Sequence, residues 1–230
     1  MRYALPDVAE GQLERLLDAL AKEPDPHTTI SEPAAAVEAH VADSLTGLEI
    51  EGVRAARRMA DVGAGVGFPG LVLAIALPSA SVDLIEATRR KAGVIDRLRQ
   101  AADVDNARSV VARVEEWART PPALGAGREL YDVVTARAVG PLAVLVEYAA
   151  PLLRPNGVLV AWKGARDPAE EGMGRRAAHE VGMALEGVLR VKPFAEARNR
   201  HLYSYRKVAP TPERFPRRPG MAAKRPLGGR

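Results

Sequence analysis

The 230-residue chain has no cysteine. That excludes disulfide scaffolds, thiolate zinc sites, iron–sulfur clusters and a cysteine nucleophile. Aromatic side chains are few: 2 Trp, 5 Tyr and 3 Phe. Long apolar runs are missing as well. The longest, Gly70–Leu77 and Leu142–Val146, are too short to span a bilayer, and Met1–Asp7 carries no apolar signal core. The expectation is a cytoplasmic protein with no membrane contact. Hydrophobic residues still make up 47% of the chain, enough for a core, which excludes wholesale disorder.

The formal net charge of +4 hides an asymmetry. From Arg190 to Arg230 there are 12 basic residues and two acids, Glu196 and Glu213. This end nets +10, and the preceding 189 residues net −6. An acidic body with a strongly basic end suits an anionic partner, nucleic acid first; a solvated tail is the plainer reading of the same charge.

Leu13, Leu16, Leu17 and Leu20 recur at helical spacing until Pro24 and Pro26. A second helix is expected after Pro33, with Val37, Val41, Leu45 and Leu48 on one stripe. Short apolar runs then alternate with helical segments. Strands are expected over Met59–Val62, Val82–Ile85, Ser109–Ala112, Val133–Ala136 and Val158–Trp162. Helices are expected over Leu71–Leu77, Arg89–Ala102, Leu142–Leu153 and Glu170–Met183, with a Pro/Gly-rich linker at Pro121–Gly127. Pro155-Asn156-Gly157 is read as the stop of the Leu142–Leu153 helix. Leu185–Val191 and Leu202–Val208 follow with no helix between them, so they must pair antiparallel. The sum is an α/β chain with a seven-stranded, mostly parallel sheet whose last strand is antiparallel: the Rossmann-like fold of class I methyltransferases. Ligands in such sheets sit beyond the carboxyl ends of the strands. The expected organisation is a helical extension over 1–50, a core over 51–208, and a basic Pro-rich tail over 209–230, where the prolines argue against regular structure.

The strongest motif is Asp61-Val62-Gly63-Ala64-Gly65-Val66-Gly67-Phe68-Pro69-Gly70, between the first strand and its helix. Glycines there let the backbone turn tightly and approach a ligand. Gly65, Gly67 and Gly70 fit the dinucleotide pattern GxGxxG; Asp61, Gly63, Gly65 and Gly67 fit the acid-x-Gly-x-Gly-x-Gly loop of S-adenosylmethionine methyltransferases. Charge favours the second, because an acid at the strand end repels a pyrophosphate and suits a sulfonium and an ammonium. Glu86 ends the next strand and can accept ribose hydroxyls with either ligand.

Other chemistry is sparse. The four histidines, His27, His40, His179 and His201, show no metal-ligand spacing with acids on one helix face, and no Gly-x-Ser-x-Gly elbow exists. His40 and Asp43 are three apart and could touch, as on many helix surfaces. The lack of an evident base disfavours hydrolysis. It leaves open methyl transfer onto an atom with a free lone pair. Arg137 and Lys163 directly follow the fourth and fifth strands, on the ligand side, and suggest an anionic substrate.

Together these residues resemble the bacterial small-subunit rRNA guanine-N7 methyltransferases, the RsmG or GidB family. The loop Asp61–Gly70 carries the resemblance, with His40-Val41-Ala42-Asp43-Ser44-Leu45, Arg89-Arg90-Lys91, Arg113-Val114-Glu115-Glu116, Thr135-Ala136-Arg137-Ala138-Val139, Trp162-Lys163-Gly164, Arg200-His201-Leu202 and Phe215-Pro216-Arg217-Arg218-Pro219-Gly220. It spans about residues 30–227. It departs from the family where Thr28-Thr29-Ile30 stands for Asn-Leu-Thr and Phe215 stands where Tyr is common.

The resemblance implies S-adenosylmethionine-dependent methylation of guanine N7 in a 16S rRNA loop near the decoding site, acting on 16S rRNA, the small subunit or an assembly intermediate. It implies that Gly63, Phe68, Glu86, Ala87, Thr88, Val114, Glu115 and Arg137 line the cofactor site, Glu86 on the ribose and Val114 and Glu115 beside the adenine. Candidates to meet RNA are Arg137, Lys163, Arg198, Arg200, His201, Arg206, Arg214, Arg217, Arg218, Lys224 and Arg225. No metal is expected. The competing readings are a methyltransferase of another RNA or a small molecule, which leaves the basic end idle; an NAD-dependent oxidoreductase, which has no account of Asp61; and a non-catalytic RNA-binding protein, which need not keep the glycines.

Overall fold

Successive side chains of each strand alternate between two apolar layers, one on each face of one sheet. Met59, Val82, Leu84, Val133, Val158, Val160, Trp162 and Leu202 enter one apolar layer, with the helices Ala9–Lys22, Gly70–Ala76 and Arg89–Ala101. Ala60, Val62, Ile85, Val134, Ala136, Leu159, Ala161, Tyr203 and Tyr205 enter the other, with Leu142–Ala149 and Pro168–Glu180. The computed structural model describes residues 3–229 except 122 and 124–126, so most of the expected Pro121–Gly127 linker lies outside the described residues.

The strands are β1 (Arg58–Val62), β2 (Ser81–Glu86), β3 (Ala107–Val111), β4 (Tyr131–Arg137), β5 (Leu153–Lys163), β6 (Met183–Val191) and β7 (Arg200–Lys207). They form a seven-stranded sheet in the order β3-β2-β1-β4-β5-β7-β6. The first five are parallel, and β7 runs antiparallel to both β5 and β6. Register brings Val62 level with Ile85 and Ala136, and Arg137 level with Trp162. The carboxyl ends of β1, β2, β4 and β5 therefore open on one rim, and the strand order reverses between β1 and β4.

Two local expectations need correction. The helix after Pro33 is composite: α over Pro33–Ala36, π over Val37–Ala42, α over Asp43–Leu45 and 3-10 over Thr46–Glu49. Its wider π turn rotates the side chains out of α phase, leaving Val37 exposed while Val41, Leu45 and Leu48 are buried. Trp162 on β5 clasps this helix, its Nε1 donating to Asp43 O at 2.9 Å and Thr46 Oγ1 at 3.1 Å. The second correction concerns Pro155-Asn156-Gly157, which stops no helix. The helix Leu142–Ala149 ends before Pro151, and the triplet lies inside β5, where Asn156 has φ +64° and the register against β4 shifts between Tyr131 and Val133.

Among the described residues the tail has one short helix, Met221–Lys224, and otherwise irregular backbone held along the body. Phe215 is buried in the second apolar layer. Arg217 pairs with Glu147, and the Gly220 N–H donates to Glu115 Oε1 at 2.7 Å. Arg119 and Arg128 donate to the carbonyls of Pro216 and Phe215, and Arg176 to that of Gly228.

Candidate functional site

The glycine loop leaves β1 with Gly63, Gly65 and Gly67 at φ +64°, +60° and +102°, a region that side-chain-bearing residues avoid. Their surroundings differ. A Cβ on Gly67 would lie 2.5 Å from Leu71 Cδ1, and one on Gly63 2.7 Å from Val139 Cγ2, so both are pressed by protein. A Cβ on Gly65 would meet nothing nearer than Gly63 O at 3.9 Å. It would project into a cavity of about 650 Å³ lined by Gly63, Gly65, Phe68 and Glu86 on one side and by Ala39, His40, Asp43, Arg137, Gly140, Lys163, Arg200 and His201 on the other.

Asp61 does not face this cavity, which corrects its assignment as a cofactor-facing acid. It is buried, accepting from Gly70 N at 3.0 Å and from Thr135 Oγ1 at 2.8 Å. Burial pushes its pKa up to about 6, against the hydrogen bonds of Thr135 and Gly70 and the charge of Arg137. Asp61 shapes the loop by holding the first turn of the helix Gly70–Ala76. Glu86 does reach the rim. Its Oε2 accepts from Gly65 N at 3.1 Å and its Oε1 from Thr88 N at 2.8 Å. A carboxylate has about four lone-pair sites, so capacity remains for further donors.

Arg137 stands opposite the loop. Its Nη1 donates to Ala39 O at 3.1 Å and Asp43 Oδ2 at 2.9 Å, and its Nη2 lies 3.3 Å from His40 Nδ1. The guanidinium sits 6.0 Å from the centre of the Phe68 ring, on which His40 stacks at 4.5 Å. Burial lowers the pKa of His40. Lys163 pairs with Glu170 at 2.6 Å and donates to Gly140 O, while His201 Nδ1 lies 2.8 Å from Gly164 O.

Of the residues proposed from sequence, Gly63, Gly65, Phe68, Glu86, Arg137, Lys163, Arg200 and His201 thus meet around one cavity. Gly67, Ala87, Thr88, Val114 and Glu115 do not line it; Ala87 and Thr88 are exposed, and Val114 and Glu115 are buried, Glu115 holding Gly220. Arg206 lies at the opposite end of the sheet, level with Val158, and pairs with Glu186. Arg214, Arg217, Arg218, Lys224 and Arg225 line a second hollow of about 640 Å³ with Arg119. Arg198 is exposed beside neither. Sequence reasoning left His40, Asp43 and Lys91 out of the site, although all three line it. The signal for the first two was their spacing of three on one helix; their partner Arg137 is 94 positions from Asp43, which no local pattern reveals.

The family profile of GidB, rRNA small subunit methyltransferase G, matches residues 11–203. The ribosomal RNA small subunit methyltransferase G of Rubrobacter xylanophilus is 43% identical over 201 residues, covering 86% of this chain and 76% of that protein. Its counterpart from Chloroflexus aggregans is 41% identical over 221 residues, covering 94% and 90%. A mutant of MtNAS solved in complex with S-adenosylmethionine shares the fold with a TM-score of 0.56 at 12% identity, covering 87% of this chain and 73% of that one. Sheet order, glycine loop and Glu86 define a class I S-adenosylmethionine-dependent methyltransferase. Within that class, the chain belongs to the GidB family of rRNA small subunit methyltransferase G proteins.

Proposed function

We propose that this protein transfers the methyl group of S-adenosylmethionine to guanine N7 in a 16S rRNA loop near the decoding site, as a cytoplasmic enzyme. The family match over residues 11–203 is the observation that carries this reading. The cavity fits the cofactor on its own terms. Gly65 leaves room where any side chain would intrude, and Glu86 retains acceptor capacity for ribose hydroxyls. Gly63, Gly65, Phe68 and Glu86 would hold it, with Arg137 between the cofactor and the RNA.

S-adenosylmethionine supplies an electrophilic methyl on a sulfonium. Guanine N7 has an exposed lone pair and no proton to lose, so the protein need supply no general base. Its residues hold the base in line, with N7 about 3 Å from the methyl carbon. N7 is out of reach in the deep groove of an RNA duplex, so a loop with a splayed base suits the cavity. Lys163, Arg200 and His201 border the cavity where phosphates of such a loop would pass. Arg214, Arg218, Lys224 and Arg225 are exposed around the second hollow and make no ion pair among the described residues, which suits a further stretch of RNA backbone.

The experiment is incubation with methyl-labelled S-adenosylmethionine and 16S rRNA, naked or in small subunits, beside a metabolite mixture. Mass spectrometry of the digested RNA should find label as 7-methylguanosine at one position. Label only in a small molecule, or on another RNA base, overturns the reading.

A further inference from the structure

Arg137 is held from three directions by groups that have no place in the cofactor-binding loop. Ala39 O, Asp43 Oδ2 and His40 Nδ1 all accept from it, and they share the helix that widens into a π turn over Val37–Ala42. The tautomer of His40 follows from its second contact. Nε2 lies 2.9 Å from Ile30 O, a carbonyl that can only accept, so Nε2 carries the proton and Nδ1 offers its lone pair to Arg137. Asp43 is different again. It is buried, and its Oδ1 has no hydrogen-bond partner, with Arg200 Nε 3.9 Å away. A buried carboxylate oxygen left unpaired beside a cavity is costly, and a site that only stabilised the fold would gain nothing by it.

Charge explains what the pair does. Methyl transfer carries positive charge from the sulfonium onto the acceptor ring. Arg137 and Arg200 line the same cavity, and a bare cation beside the acceptor would oppose that transfer. The Asp43 carboxylate offsets the Arg137 charge while leaving N–H groups that can donate to a base carbonyl. Resting on the function proposed above, we infer that Asp43 and His40 are positioning residues: they fix Arg137 as a charge-compensated donor to the carbonyl edge of the acceptor guanine. His40 must stay neutral in this role, because protonation of Nδ1 would remove the acceptor and set two cations face to face. The charged groups facing His40 are Arg137 from β4 and Asp43 from its own helix, with Arg200 from β7 behind Asp43.

The test uses the full chain, with Asp43→Asn removing charge at constant shape and His40→Asn keeping an acceptor near Nδ1 that does not titrate. S-adenosylmethionine affinity by calorimetry should stay within threefold of wild type for both. On rRNA, Asp43→Asn should lower kcat ten- to hundredfold with KM changed less than threefold. For His40→Asn, the fall of kcat on the acid side of the wild-type pH profile should disappear. Wild-type kcat in both variants, or an unchanged acid limb in His40→Asn, overturns the inference; so does a parallel loss of cofactor affinity, which would place the pair in the cofactor site. Should Asp43→Asn fail to fold, His40→Asn alone decides. A wild-type protein that methylates no rRNA would instead overturn the proposed function.

Discussion

Arg217 grips Glu147 with both prongs of its guanidinium, Nε to Oε1 at 2.7 Å and Nη2 to Oε2 at 2.5 Å. Glu147 is 2% exposed and belongs to the helix Leu142–Ala149, so a residue of the basic tail neutralises a charge in the body. Arg217→Ala would leave that carboxylate buried and unpaired, and should cost about 3 kcal/mol in urea unfolding. Adding Glu147→Leu to Arg217→Ala should recover most of the loss, because the penalty comes from the orphaned charge. Equal stability of Arg217→Ala and wild type would show that the tail is not fastened there. Arg217 thus serves the fold, and a deletion from Ala209 onward would remove Phe215 from the apolar layer along with the tail's charge.

Asp61→Asn separates a structural acid from a cofactor ligand. Asn can accept from Gly70 N and donate to Thr135 Oγ1, whose hydroxyl then turns toward Ala60 O at 3.4 Å. The Asp61 pKa is raised from 3.8 to about 6 in the fold. The unfolded chain therefore loses this proton first. The group's contribution to stability is full below pH 3.8 and declines as pH rises to about 6. At neutral pH the buried charge costs on the order of 3 kcal/mol. Asp61→Asn should match wild type near pH 4 and be the more stable of the two at pH 7, by thermal melting, with S-adenosylmethionine affinity kept within a few-fold. A tenfold or greater loss of that affinity would return Asp61 to the cofactor.

The same residue shows where sequence reading stops. The strand–helix alternation was legible because central strands buried on both faces read as short apolar runs separated by segments of helical spacing, and the strand ends placed Glu86, Arg137 and Lys163 on one rim. Direction within the loop was not legible. Asp61 points inward because Thr135, 74 positions away, and Gly70 draw it there. The start of β5 was hidden for a different reason: Pro155-Asn156-Gly157 has the composition of a turn, yet forms an irregular stretch of strand. There a Cβ on Gly157 would lie 3.0 Å from Tyr131 O, so glycine allows the close approach of β4. The π turn that presents His40 has no compositional signature, and the π phase made Val37 look like core.

Gly65 and Gly67 should fail in different ways when each is changed to alanine. Both sit at positive φ, which costs an L-residue roughly 1–2 kcal/mol. Gly67→Ala adds a clash with Leu71 Cδ1, and its loss should register chiefly in the melting temperature. Gly65→Ala adds no clash with protein, and its methyl enters the cavity. Calorimetry should therefore show a tenfold or greater loss of S-adenosylmethionine affinity for Gly65→Ala, at a melting temperature closer to wild type than that of Gly67→Ala. Undiminished binding by Gly65→Ala would move the cofactor away from this loop.

The cations of the tail can be tested without unfolding it, because Arg218, Lys224 and Arg225 are exposed and take no part in the Arg217–Glu147 pair through their side chains. A protein that neutralises phosphates releases counterions, and its affinity falls linearly on a log–log plot against salt, with a slope near 0.7 for each contact on a single strand. The triple substitution Arg218→Gln, Lys224→Gln and Arg225→Gln should flatten that slope by about 2 for 16S rRNA if all three contact phosphate. Binding should weaken most at low salt, where counterion release contributes most, while S-adenosylmethionine affinity stays at the wild-type value because these residues lie outside the cofactor cavity. Filter binding across a fourfold range of salt gives both quantities. An unchanged slope would leave Lys163, Arg200 and His201 at the cavity rim as the RNA contacts, and the tail as a brace for the fold alone.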